Sequence, residues 1–136
     1  MFNTILVPIE IGNAGHSNTS IEVAAANGNA DARIILLNVV EEIPRWVAVE
    51  LPRGLQEKSV QTSRKELDAI AAASKIKTEV EVRVGHPYQT ILEVAGEKNA
   101  ELIVISSHQP GLQDYLLGST AAKVVRHAHC SVMVLR

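Results

Sequence analysis

The chain has 136 residues with a net charge of -2, 46% hydrophobic, 21% charged and 3% aromatic, the profile of one soluble domain, expected to span residues 1–136. So even a charge balance gives no basic face of the kind nucleic-acid binders carry, and so few rings give no stacking platform for bases. No apolar run reaches the ~18 residues of a membrane span, residues 1–8 lack the basic start and cleavage site of a signal peptide, and the lone Cys130 cannot build a disulfide framework. The expectation is a cytoplasmic protein that contacts neither membrane nor nucleic acid.

In chain order, a first strand is expected over residues 4–9, where β-branched residues run almost without a polar break. A helix follows over 17–26, with Ser17 as its N-cap and Ile21, Ala24 and Ala25 on one face, ending at the breaker Asn27-Gly28-Asn29. The second strand covers 33–40. Residues 44–53, with two prolines and Trp46, read as an irregular loop. A helix over 55–74 carries Val60, Leu67, Ile70 and Ala71 at helical spacing, and its Lys and Glu residues form a solvated face.

The third strand, 79–84, alternates Val80, Val82 and Val84 with Glu79, Glu81 and Arg83, which suits an edge strand with one wet face. Pro87 opens a helix lined by Ile91, Leu92 and Ala95. The fourth strand is 102–105. Gly118, Ser119 and Thr120 open a last helix whose inner face is Ala121, Val124, Val125 and Ala128, and 132–135 closes the chain as a strand.

Strand and helix alternate throughout, which predicts an α/β fold: a five-stranded parallel open sheet with helices on both faces and right-handed crossovers. Of the two common orders, the charged alternation of the third strand selects 3-2-1-4-5, the Rossmann half, over the flavodoxin-like one. Ligands of such sheets bind beyond the carboxyl ends of the strands, at the switch point between strands one and four. The loops there are 8–17 and 106–119.

The second of these loops is long for a strand-to-helix connection. It ends on Gly118-Ser119-Thr120, where free backbone N–H groups, a helix dipole and two hydroxyls suit an anion such as phosphate; equally, Ser119 simply caps the helix. No Lys or Arg occurs from Ser106 to Ala122, so phosphate binding there rests on amides and hydroxyls. Gly12-Asn13-Ala14-Gly15 is not a full dinucleotide fingerprint, and there is no P-loop. His127 and His129 do not share a helical face, so no metal site is expected. Ser107 beside His108 lacks the orienting acid and oxyanion hole of an acyl-transfer site, and no catalytic residue is assigned.

Tyr115-Leu116-Leu117-Gly118-Ser119, Val124-Val125-Arg126-His127-Ala128 and Cys130-Ser131-Val132, with Ile5-Leu6-Val7-Pro8-Ile9-Glu10 and Gly85-His86-Pro87, make a sequence that resembles the universal stress protein family. The likeness covers nearly the whole chain and is least marked over 43–74. It implies an adenine nucleotide alpha hydrolase-like fold, binding of ATP or AMP with or without magnesium, little or no hydrolysis, and a homodimer through the C-terminal strand 131–136. A short strand that is apolar on both faces leaves an unprotected sheet edge, which points the same way.

The family's G-x2-G-x9-G-[S/T] pattern is matched at Gly118 and Ser119, while Ser106 and Gln109 replace its first two glycines and the spacing is one residue short. Ser107-His108-Gln109-Pro110 matches a Ser-His-x-Pro branch of the family that keeps the Tyr-Leu-Leu-Gly-Ser ending. The resemblance carries cofactor contacts onto Pro8, Ile9, Glu10, Val39, Ser106, Ser107, His108, Gln109, Gly118, Ser119 and Thr120. Glu10 stands where the family's aspartate approaches the ribose, or is a solvated acid. Val39 would meet adenine through its backbone. The replaced glycines leave open a member that acts as an interaction scaffold, or a slow ATPase.

Overall fold

The computed structural model describes residues 1–12, 14–107 and 118–136, with the side chains of 14–16 outside the description. Five strands, β1 (Phe2–Pro8), β2 (Gly28–Glu41), β3 (Glu79–Gly85), β4 (Leu102–Ser106) and β5 (Ser131–Leu135), form one parallel sheet in the order β3-β2-β1-β4-β5. The helices are α1 (Ala14–Asn27), α2 (Arg45–Ala48), α3 (Leu55–Ala73), α4 (Pro87–Glu97) and α5 (Ser119–His127).

The two-residue period of a strand sends alternate side chains to opposite faces, and both faces are covered. Ile5, Val7, Ile34, Leu36, Leu102 and Val104 meet Ile21 and Ala24 of α1 and Leu67 of α3. Leu6, Ile35, Leu37, Ile103 and Ile105 meet Ile91, Val94 and Ala95 of α4 and Ala121 and Val124 of α5. Continuous apolar runs in the three inner strands are what burial on both faces requires. Each fully buried Leu, Ile or Val contributes roughly 1.5–3 kcal/mol relative to leaving it in water.

The structure corrects several local expectations. Helix α1 starts at Ala14, three residues before Ser17, so Ser17 is a buried residue of the helix and not its N-cap. Strand β2 begins at Gly28 because its first residues continue straight from α1 and pair with Phe2. Residues 45–48, expected as irregular, form the short helix α2, opened by Pro44, whose carbonyl accepts from Val47 and Ala48 N–H. Val125 is 45% exposed, because the buried stripe of α5 runs through Ala121 and Val124.

Strand β3 is the sheet edge, and its charged face stays partly exposed, Glu79 about half and Glu81 and Arg83 less so. Arg83 bonds Glu81 and Glu97, and Lys98 reaches Glu81, so charges from β3 and the end of α4 roof one another. Burial alone pushes the Glu81 carboxyl up, and the hydrogen bonds from Arg83 and Lys98 more than reverse this, leaving it below the ordinary carboxylate range. At the strand's exit Gly85 runs against α4: a Cβ there would collide with Thr90 Oγ1.

Candidate functional site

The switch point between β1 and β4 opens a crevice at the carboxyl ends of the strands, and it holds a cavity of about 350 Å³. Pro8, Ile9 and Glu10 enter it from the end of β1, Val39 from β2, Ser106 and Ser107 from β4, and Gly118, Ser119 and Thr120 from the start of α5. The nine described candidates are thus brought to one wall-lined space, although they lie far apart in sequence. His108 and Gln109 lie outside the described residues, as do Tyr115, Leu116 and Leu117.

The backbone explains this convergence. Ile9 N–H donates to Leu37 O at 2.7 Å, extending the β1–β2 ladder one residue past the strand. Gly12 then turns the chain at φ 103, a left-handed conformation that a side chain disfavours. Its glycine thus serves the turn into α1. On the other side, Ser107 N–H donates to Leu135 O at 2.9 Å, so the chain leaving β4 is held against β5.

Helix α5 is capped by Gly118, in extended conformation (φ -62, ψ 153), with no side-chain capping bond. Ser119 is therefore the first helical residue and not the cap. The first-turn N–H groups of a helix have no intrahelical acceptor, and they carry the positive end of the dipole toward whatever sits before them. Here that end faces the cavity lined by Ser119 and Thr120.

Several lining residues escaped sequence reading. Ser17 and Ser20 come from α1, Asn38 and Glu41 from β2, and Pro87 and Ile91 from α4. Ser20 and Ser17 are buried, which small hydroxyls at helical spacing do not announce. Asn38 did give a signal: it is the one polar residue inside the run Ile34-Ile35-Leu36-Leu37-Asn38-Val39-Val40. Its amide nitrogen donates to Ile9 O at 2.8 Å, and its amide oxygen accepts from Ser63 Oγ on α3.

Among the described residues the cavity wall has acidic side chains at Glu10 and Glu41, six hydroxyls, one amide and no Lys or Arg. Among the described residues no three His, Cys, Asp or Glu side chains cluster to hold a metal. His127 instead stacks on Tyr88, with ring centroids 6.0 Å apart. Burial pushes the Cys130 thiol up, away from a reactive thiolate. Among the described residues no helix is long and apolar enough to cross a membrane.

A parallel sheet ordered 3-2-1-4-5, covered on both faces and open at the β1–β4 switch point, defines a Rossmann-like α/β protein with a crevice at that point. Within that class the universal stress protein family profile matches residues 1–136, and the chain belongs to that family. Universal stress protein G of Salmonella typhimurium is 30% identical over 147 residues, covering 100% of both chains. Universal stress protein MJ0531 of Methanocaldococcus jannaschii is 30% identical over 146 residues, covering 100% of this chain and 83% of its own length.

Solved structures share the fold. Hypothetical protein MJ0577 superposes with a TM-score of 0.81 at 23% identity, covering 99% of this chain and 96% of that one. A universal stress protein solved in complex with cAMP gives 0.69 at 22% identity, covering 99% and 97%. One from Archaeoglobus fulgidus in complex with dAMP gives 0.61 at 16% identity, covering 98% and 97%.

Proposed function

We propose that the chain binds an adenine nucleotide, ATP or AMP with or without magnesium, in the switch-point crevice and acts in stress response as a cytoplasmic homodimer with little or no hydrolysis. The observation that carries the reading is the meeting of the α5 N-terminus, the Ser119 and Thr120 hydroxyls and the end of β1 around one cavity. A volume of about 350 Å³ falls within the range of small-ligand pockets. Complexes of fold relatives with cAMP and dAMP support the choice of an adenine ligand.

In this reading Ser107, Gly118, Ser119 and Thr120 face the phosphate, and Gln109, outside the described residues, is expected to join them. Glu10 accepts from a ribose hydroxyl. Val39 offers its backbone to adenine, with Pro8 and Ile9 packing alongside. The Ser107-His108-Gln109-Pro110 sequence supports a place in the Ser-His-x-Pro branch. The homodimer pairs β5, whose outer edge has no neighbouring strand in the sheet.

The test is calorimetric titration with AMP, and with ATP in the presence and absence of magnesium. Saturable binding that weakens on Ser119→Ala is expected, and no measurable affinity at millimolar nucleotide overturns the reading. Multiple-turnover phosphate release abolished by Ser119→Ala would instead favour a slow ATPase. A protein-interaction scaffold is the second reading, and one observation favours it: Trp46 and Val49 around α2 are 77% and 82% exposed. The two lie three residues apart on one short helix and its cap, so they form a small shared patch rather than scattered side chains, and such a patch suits a partner surface.

A further inference from the structure

The segment joining β2 to α3 is open to water at Glu42, Arg45, Trp46, Val49, Glu50 and Arg53, yet its course is fixed by hydrogen bonds. Gln56 of α3 accepts from Ile43 N–H at 2.9 Å where the segment begins. Past Pro44, the turns of α2 run on to Leu51, with Glu50 N–H on Val47 O at 3.0 Å and Leu51 N–H on Ala48 O at 3.2 Å. Gly54 then turns the chain into α3 at φ 79. Trp46, 77% exposed, therefore shares a face with Val49 and Glu50, and Arg45 stands one turn before Val49.

The charges of this segment alternate in sign: Glu42, Arg45, Glu50, Arg53. About the midpoint between Val47 and Ala48, Glu42 mirrors Arg53, Arg45 mirrors Glu50, and Trp46 mirrors Val49. None of the four charges enters an ion pair among the described residues. A segment with this symmetry complements itself. Turned about a two-fold axis, a second copy sets each acid against a base and each Trp46 against a Val49, the reciprocal contacts of an isologous interface. A parallel alignment would instead set like charges side by side.

We propose that residues 42–53 are a self-docking surface, whose occupant is the same segment of a second copy lying antiparallel to it. A stable interface takes roughly 20–30 residues a side, and this one offers about half as many. Pairing is accordingly weak, with a dissociation constant on the order of 0.1 mM, and it weakens further as salt screens the four charge pairs. In the sheet, β1 and β4 separate β2 from β5, so association through α2 leaves the C-terminal strand free. It requires no nucleotide.

The sequence supplies its own probe, because Trp46 is the one tryptophan of the chain. The experiment is sedimentation equilibrium and tryptophan emission on the nucleotide-free protein, from about 1 μM to about 1 mM. The mass is expected to double, and the emission to move to shorter wavelength as the ring leaves water, with one shared midpoint. Arg45→Glu and Glu50→Arg, each at an exposed position and checked for folding by circular dichroism, should each weaken the pairing about tenfold. Mixing the two variants in equal amounts should restore it, since glutamates of one then face arginines of the other. The double variant Arg45→Glu, Glu50→Arg should pair like wild type for the same reason.

A mass and an emission that stay constant up to about 1 mM overturn the proposal and leave the patch to a different partner. A rise in mass with unchanged emission overturns it too, because the contact then lies elsewhere, as at β5. So does a mixture of the two reversed variants that pairs no better than either alone.

Discussion

Asn38 holds Ile9: its buried side-chain amide donates to the Ile9 carbonyl at 2.8 Å while the same amide's oxygen accepts from Ser63 of α3. One side chain thus joins the exit of β1, the middle layer of the sheet and a covering helix. Glu10 follows Ile9 directly, so its backbone position depends on this clamp.

Replacing Asn38 by Leu leaves the Ile9 carbonyl and the Ser63 hydroxyl without their partner. A loss of about 1–3 kcal/mol is expected, because a buried polar group stripped of its bond bears its desolvation cost. Ser63→Ala should lose less, since Asn38 keeps its bond to Ile9. Urea unfolding of both variants checks the order. A stability equal to wild type in Asn38→Leu would show that the clamp is dispensable.

Gly85→Ala tests the step from β3 into α4. The added Cβ meets Thr90 Oγ1, and Thr90 is itself buried, so either its side chain leaves its rotamer or the helix shifts. Destabilisation of about 1–3 kcal/mol is expected, as for other overpacked sites. The double variant Gly85→Ala, Thr90→Ala should recover part of it, measured by thermal melts, because the colliding oxygen is gone.

Strand β5 offers a clean test of the homodimer. Ser107 N–H donates to Leu135 O, so Leu135 turns its backbone toward β4. The alternation along a strand then aims the backbone N–H groups of Val132 and Val134 at the open edge. Val134→Pro removes an outward donor without breaking the β4 ladder, a position where a strand tolerates proline. Sedimentation should show a monomer with unchanged circular dichroism. A dimer that persists would place the interface elsewhere.

Acid should weaken the β3 edge. The Arg33 hydrogen bond, with Nε to Oε2 at 2.8 Å, holds Glu79 below the ordinary carboxylate range against its desolvation. Glu81 is lowered too: burial, the largest single effect, raises it, and the hydrogen bonds and charges of Arg83 and Lys98 together outweigh burial. A carboxyl lowered by folding stabilises above its unfolded value, about pH 4.3 for Glu, and that stability disappears as pH falls through the folded value. The urea midpoint of Glu81→Gln should fall below wild type at neutral pH and approach it as pH falls through the folded value of Glu81. The Arg33–Glu79 pair, half exposed on both sides, should matter less.

Strand order was legible because it depends on which strands can be buried on both faces and which cannot, and residues 79–84 alternate visibly. The same alternation marks the charged face, which stays partly exposed. It does not give the pairing across that face: Glu97 and Lys98, which bond Arg83 and Glu81, come from the far end of α4. Such pairing depends on how the helix crosses the sheet, which no local period records.

The crevice was legible in part for a similar reason. Switch-point loops follow from strand order, so Glu10, Ser106 and Ser119 were reachable. Ser17 was assigned to a cap because a serine before an apolar stripe usually is one; the helix in fact starts earlier and turns Ser17 inward. Glu41 was passed over because the apolar run ends before it, while β2 continues through it. Those two omissions hid the cavity's hydroxyl floor and its second acid.

The two borders of the sheet differ in charge, and in the proposed homodimer that difference limits how large an assembly can grow edge to edge. Along β3, Glu79, Glu81 and Arg83 line the outer strand, and a second copy approaching there would have to strip their ion pairs. Along β5 no charge intervenes between Ser131 and Leu135. In the proposed homodimer, joining β5 to its copy consumes both uncharged borders and leaves two guarded ones outward. Stacking sheet on sheet into a fibre would need two receptive borders, and charge on β3 removes one of them.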